Sequence, residues 1–228
     1  MTSGSSYAIP VIVSFSGGKD SVLALYTVMR SHRYRVVGLL TSVNAVYDRV
    51  TMQGIRRVLI QQQARALGIP LTIVELPERC SNEEYEARMR TALARFQAMG
   101  VRHCVFGDIF LEDVRRYREE RLLRGGWQGV FPLWGRNTRY LVEEFLRLGF
   151  RAVVTCVDGQ VLDASYVGRE LDRTFFSALP ADVDPCGENG EFHTFVYDGP
   201  LFAYSIRFRC GPVVLREQRF YYCDLIPE

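Results

Sequence analysis

Ser16-Gly17-Gly18-Lys19-Asp20-Ser21 puts two glycines, a cation, a carboxylate and two hydroxyls in six consecutive positions. Adjacent glycines carry no Cβ, so their backbone N–H groups can come close to a bulky anion. An apolar, β-branched run, Ile9 to Phe15, precedes the segment. Val22 to Met29 follows it, with Leu25, Val28 and Met29 on one helical face. Strand, glycine turn and helix N-terminus together suit the oxygens of a phosphate chain. A helix terminus by itself contributes only about 0.3–1 kcal/mol toward a nearby charge. Triphosphate chemistry therefore needs a full cation, and Lys19 stands where one could reach. Of the 28 basic residues, Lys19 is the single lysine. A coding bias toward arginine explains most of that pattern, yet the exception falls where a compact ammonium differs chemically from a planar guanidinium. Asp20 after the lysine excludes the G-x-x-x-x-G-K-[ST] loop of kinase-type enzymes.

A second cluster lies far downstream. Glu188, Asn189, Glu191, His193 and Thr194 fall within seven residues, and Gly187 and Gly190 let that loop turn its side chains toward one point. A carboxylate beside an imidazole is equipment for moving protons, because histidine titrates near neutrality. One histidine among glutamates is a weak transition-metal set, whereas Mg²⁺ takes oxygen ligands alongside phosphate.

The elements that must position these groups alternate regularly. Strands are expected at Tyr34 to Leu40, Leu71 to Leu76, Val101 to Phe106, Val130 to Trp134 and Arg151 to Val157. Helical stripes separate them: Met52 to Leu67, the capping-box segment from Ser81 to Gly100, the charged run Leu111 to Leu123, and Thr138 to Leu148. Such alternation specifies an α/β fold with a doubly wound parallel sheet. Ligands of such sheets bind at strand C-terminal ends, which makes Thr41, Gly107 and Asp108 candidates beside the nucleotide. The polar loop Val43 to Thr51 is placed to cover it. After Asp158 the pattern shifts. Asp163 to Leu179 reads as helical, then Phe195 to Tyr197, Tyr204 to Arg209 and Val213 to Tyr222 alternate as antiparallel strands, with turns at Asp198-Gly199-Pro200 and Gly211-Pro212. The expected division is 1–158 for nucleotide binding and 159–228 for a smaller α+β substrate annex.

Composition narrows the class. A net charge of +2 gives no electrostatic case for nucleic-acid binding. Met1 to Ser6 lacks the pattern of a signal peptide, and no apolar run approaches the ~18–20 residues of a membrane span. The six cysteines form no C-x-x-C, which points to packed thiols in a reducing cytoplasm.

The SGGKDS segment resembles the signature of the ATP pyrophosphatase superfamily, the PP-loop enzymes. Gly187-Glu188-Asn189-Gly190-Glu191-Phe192-His193-Thr194 narrows this further, since a PP-loop domain followed by that motif is similar to the diphthine–ammonia ligase family. Gly107-Asp108-Ile109, Pro132-Leu133-Trp134, Val167 to Asp172 and Cys186 to Pro200 extend the likeness over nearly the whole chain. The resemblance implies ATP and Mg²⁺, adenylation of a carboxylate, release of pyrophosphate, and displacement of AMP by ammonia. It implies that Ser16, Gly17, Gly18, Lys19, Asp20 and Ser21 hold the phosphates and that Asp20 orients Mg²⁺. Gly107 and Asp108 would lie near the nucleotide, and Lys19, Glu188, Glu191 and His193 would carry the chemistry, with Asn189 and Thr194 on the acceptor side. The acceptor implied is diphthine on an elongation factor. Phe110 to Tyr117 departs from the serine–x–tyrosine–glutamine segment of diphthine-directed members, leaving a corrinoid or another small carboxylate open. Also open are a tRNA-modifying or thiolating PP-loop enzyme, a non-catalytic adenine-nucleotide-binding regulator, and a homo-oligomeric assembly.

Overall fold

The computed structural model describes residues 8–228. Its first sheet is built from β1 (Ile9–Ser14), β2 (Tyr34–Asn44), β4 (Leu71–Leu76), β5 (His103–Val105) and β6 (Gln128–Val130), all parallel in the order β4-β2-β1-β5-β6. The short β3 (Arg49–Val50) folds back antiparallel onto the end of β2. Helices α1 (Lys19–Arg30), α2 (Arg57–Leu67), α3 (Asn82–Ala98) and α4 (Glu112–Arg124) make the crossovers. β1 shows why both faces are covered: Val11 and Val13 point into one core with α1 and α2, while Ile12 points into another with Phe96 and Trp127. Strand order reverses between β1 and β5, so the phosphate loop and the Gly107 turn flank the crevice where such sheets take ligands.

Helix α5 (Thr138–Arg147), capped by the Asn137 side chain, leads into a second, antiparallel sheet. That sheet runs β8-β7-β10-β9, from β7 (Arg151–Asp158), β8 (Phe192–Asp198), β9 (Phe208–Arg216) and β10 (Phe220–Pro227). Here the structure departs from expectation. Arg151 to Val157 is not the last parallel strand; β7 pairs antiparallel with β8 and β10, so the change of sheet falls before residue 151. A fully buried strand has the same continuous apolar run in either kind of sheet, so composition does not discriminate. Asp163 to Leu179 is mostly irregular, holding one 3₁₀ turn at Ala164–Tyr166 and the short α6 (Arg173–Ala178). Gly211-Pro212 sits inside β9, and the hairpin turns instead at Glu217-Gln218, both at φ 52°. That left-handed pair is one the usual Asn-Gly signal does not announce.

The two sheets share one core. Val22, Leu25 and Ile60 belong to the same buried cluster as Val153, Phe175, Phe195 and Val196. Asp224 of β10 takes the Arg56 guanidinium at 3.0 and 2.6 Å and Arg49 at 2.9 Å, tying β3 and the start of α2 to the second sheet. Among the described residues, no helix is long and apolar enough to cross a membrane.

Candidate functional site

At the crevice lies a cavity of about 240 Å³ whose walls come from both ends of the chain. Ser16, Gly18, Lys19, Asp20 and Ser21 form one wall, Gly107 and Asp108 a second, and Glu188, His193 and Thr194 a third. Residues separated by more than 170 positions thus face one space, and direct bonds hold them there. Thr194 Oγ1 accepts from the Lys19 N–H at 2.9 Å, and Glu188 Oε1 accepts from the Ile109 N–H at 2.7 Å.

The phosphate loop is built as its residue types require. Gly17 turns at φ +79°, Ser16 Oγ accepts from the Gly18 N–H, and Ser21 Oγ donates to the Gly18 carbonyl at 2.9 Å. Gly18, the residue before α1, supplies no side-chain cap; Thr194 caps the helix from the other sheet. Thr194→Val keeps the shape and removes the acceptor. It should cost about 1 kcal/mol of stability in urea unfolding, the usual worth of a helix cap. No change would mean that the Lys19 N–H finds water instead.

The Lys19 side chain is 1 % exposed and its Nζ is hydrogen-bonded to Asp20 Oδ1. Burial is the largest influence and opposes its charge, but Asp20 and Cys186 together hold the ammonium above the ordinary lysine range, while burial pushes the Asp20 carboxyl itself upward. Asp108 is gripped by Arg118, with Oδ2 2.8 Å from Nε, and Arg118 lies over the Phe106 ring at 4.7 Å. Gly107 is needed for a reason other than ligand approach: a Cβ there would stand 2.8 Å from the backbone of Asp20. The turn after β5 is pressed against the first turn of α1.

Within the downstream loop the roles divide. Burial, then the Asp20 and Asp108 charges, push the Glu188 carboxyl up to about 7, against the Ile109 and Phe110 N–H bonds. His193 lines the cavity with its pKa lowered by burial, despite the nearby Glu191 charge. The group titrating near neutrality is therefore Glu188. Glu191 and Asn189 are not among the lining residues; Glu191 Oε1 accepts from Asn189 Nδ2 at 2.8 Å and the Asp184 N–H at 3.1 Å, which shapes the loop. Thr41 is likewise outside the cavity. β2 runs on to Asn44, so Thr41 is buried in mid-strand opposite Ile73.

Several lining residues carry no sequence signal of their own. Gln53, from the turn after β3, reaches the cavity, while Met52 is exposed at φ +69° instead of starting a helix. Arg118 was hidden in a charged run. Its cue is the spacing of Arg115 and Arg118, three apart on one face and each over an aromatic ring. Cys186 also lines the site, and burial pushes its thiol up to about 12, so it stays protonated. Among the described residues no three His, Cys, Asp or Glu side chains converge as a metal cage. Asp20, Asp108 and Glu188 line the same cavity without converging, and carboxylate oxygens of this kind fit a Mg²⁺ held mainly by phosphate.

Comparison with known proteins agrees in both halves. Residues 9–126 match the family model described as diphthamide synthase N-terminal domain, and residues 137–223 match the diphthamide synthase C-terminal domain. The diphthine–ammonia ligase of Homo sapiens is 27% identical over 227 residues, covering 90% of this chain and 85% of that protein. That of Rattus norvegicus is 28% identical over 221 residues, covering 86% and 81%. The Bos taurus protein of the same name is 33% identical over 102 residues, which spans 42% of this chain and 38% of that protein.

Proposed function

Because this chain belongs to the diphthamide synthase family, we propose that it is an ATP-dependent ligase converting a carboxylate into a carboxamide. In this reading ATP is cleaved at the α-phosphorus. The acceptor carboxylate takes the adenylyl group, pyrophosphate leaves, and ammonia then displaces AMP. The observation that carries it is the shared cavity: the Ser16–Ser21 loop and the Glu188–Thr194 loop face each other across one space and are bonded together.

Each residue then has a task. Ser16, Gly17, Gly18 and Ser21 shape the loop around the phosphates, and Lys19 offsets charge on the departing pyrophosphate. Asp20 would hold Mg²⁺, with Asp108 and Glu188 nearby, and the metal when bound would screen the phosphate oxygens. Glu188 takes the proton that ammonia must lose as it attacks. His193, neutral, lines the acceptor side, while Asn189 and Glu191 hold the loop in shape. The functional division follows the sheets, so β7 goes with the acceptor-binding part.

The acceptor in this reading is a carboxylate. The relatives are named for diphthine, but Phe110 and Leu111, which follow the Gly107-Asp108-Ile109 turn, stand where the resemblance leads one to expect a serine–x–tyrosine–glutamine segment. A small carboxylate therefore stands beside a diphthine-bearing elongation factor as acceptor. Incubation with ATP–Mg²⁺, ammonium and each acceptor, followed by nucleotide analysis, tests the reading. AMP with pyrophosphate and a product one mass unit lighter than the acid is the expected result. ADP would overturn it, and so would binding without turnover for every acceptor tried.

A further inference from the structure

Gln63 of α2 points away from solvent into the join between the two sheets, and it is 0 % exposed. Its Nε2 donates to the Gly17 carbonyl at 2.8 Å and to the Val196 carbonyl of β8 at 2.5 Å. Both neighbours are acceptors, so the amide nitrogen must face them. Gly17 O accepts a second bond, 3.0 Å from the Val196 N–H. Strand β8 is thus bonded to the phosphate loop itself, with Gln63 closing the junction from the third side. A Cβ on Gly17 would lie 2.3 Å from Gln63 Oε1, so the loop and the amide fit without room to spare.

We infer that Gln63 is a positioning residue for the phosphate loop, fixing the Gly17 peptide so that the Gly18–Ser21 backbone faces the cavity. It is absent from the cavity wall and acts only through the backbone it holds. One of its bonds joins the Val196 N–H in holding the Gly17 carbonyl from two sides, away from any phosphate it would repel, and the other ties the same amide to the Val196 carbonyl. They also make the loop's shape depend on β8, two residues beyond Thr194. Acceptor strand and nucleotide loop therefore move as one piece.

This inference rests on the nucleotide-binding part of the proposed function and not on amide formation. Gln63→Met retains length and apolar packing but has no donor. Losing a buried donor between two carbonyls costs enough to weaken ATP binding about tenfold. Adenosine, which lacks phosphates, should bind both proteins equally in equilibrium titrations. Equal losses for ATP and adenosine would make Gln63 a general packing residue and overturn the inference, as would unchanged ATP affinity. If Gln63→Met does not fold, Gln63→Asn, which keeps the amide one methylene short, is read by the same ATP-to-adenosine ratio. Wild-type protein that bound neither ligand would instead remove the proposed function.

Discussion

Lys19→Ala slows AMP formation by roughly 10²–10³-fold at saturating ATP, the scale of losing one electrostatic contact in the transition state. Lys19 is the only buried cation of the phosphate loop, and its ammonium is the compact charge at the start of α1. The variant also strands the Asp20 carboxylate, so stability must be followed beside rate. A lowered melting temperature with unchanged turnover would assign Lys19 to the Asp20 pair alone. Lys19→Arg separates charge from shape. A guanidinium is larger and planar, and the lysine side chain is 1 % exposed, so retained charge should not restore the rate. Quenched-flow or coupled pyrophosphate assays read both variants. A change smaller than threefold in Lys19→Ala would remove the residue from the chemistry.

Local patterns were most legible where one residue type has one use. The phosphate loop, the Ser81 cap of α3 and the parallel pairing of the first sheet all follow from local patterns and their alternation. Ser81 accepts from the Glu84 N–H as its spacing requires. What the chain concealed is long-range. Thr194 reads as a substrate group, but its hydroxyl caps a helix that begins 175 residues earlier. Gln63 reads as one of three consecutive glutamines on a helix, and only the arrival of β8 gives it partners. Glu191 and Asn189 belong to the motif yet bond to each other, because a glycine-rich loop needs internal ties before it can aim anything. Arg118 shows the converse. Its run of charges is mostly solvated, and one face of that run stacks on Phe106 beside the cavity. A sequence states which groups are available; which of them turn inward is decided by packing between elements far apart in the chain.

Glu188→Gln should abolish the pH dependence of turnover near neutrality and lower the rate at pH 8 by about 10²-fold or more, the usual contribution of a positioned base. The reasoning begins with burial. The Glu188 carboxyl is pushed up to about 7 from an ordinary 4.5, by loss of solvation first and then by Asp20 and Asp108. A glutamate raised in the folded state binds its proton more tightly there than in the unfolded chain. Its contribution to stability is full below pH 4.5 and is lost as pH rises through 7. The amide of the variant imitates the protonated acid, can still accept from the Ile109 N–H, and never ionises. Wild type and variant should therefore melt alike at pH 4, and the variant should melt higher at pH 8. Activity runs the other way, since only the ionised carboxylate can take the proton that ammonia loses as it attacks. Melting that falls between pH 4.5 and 7 and then levels off, with turnover rising through pH 7, would identify one group acting in both. Parallel melting curves from pH 5 to 8 would show that Glu188 is ionised throughout, and the base would have to be sought elsewhere in the cavity.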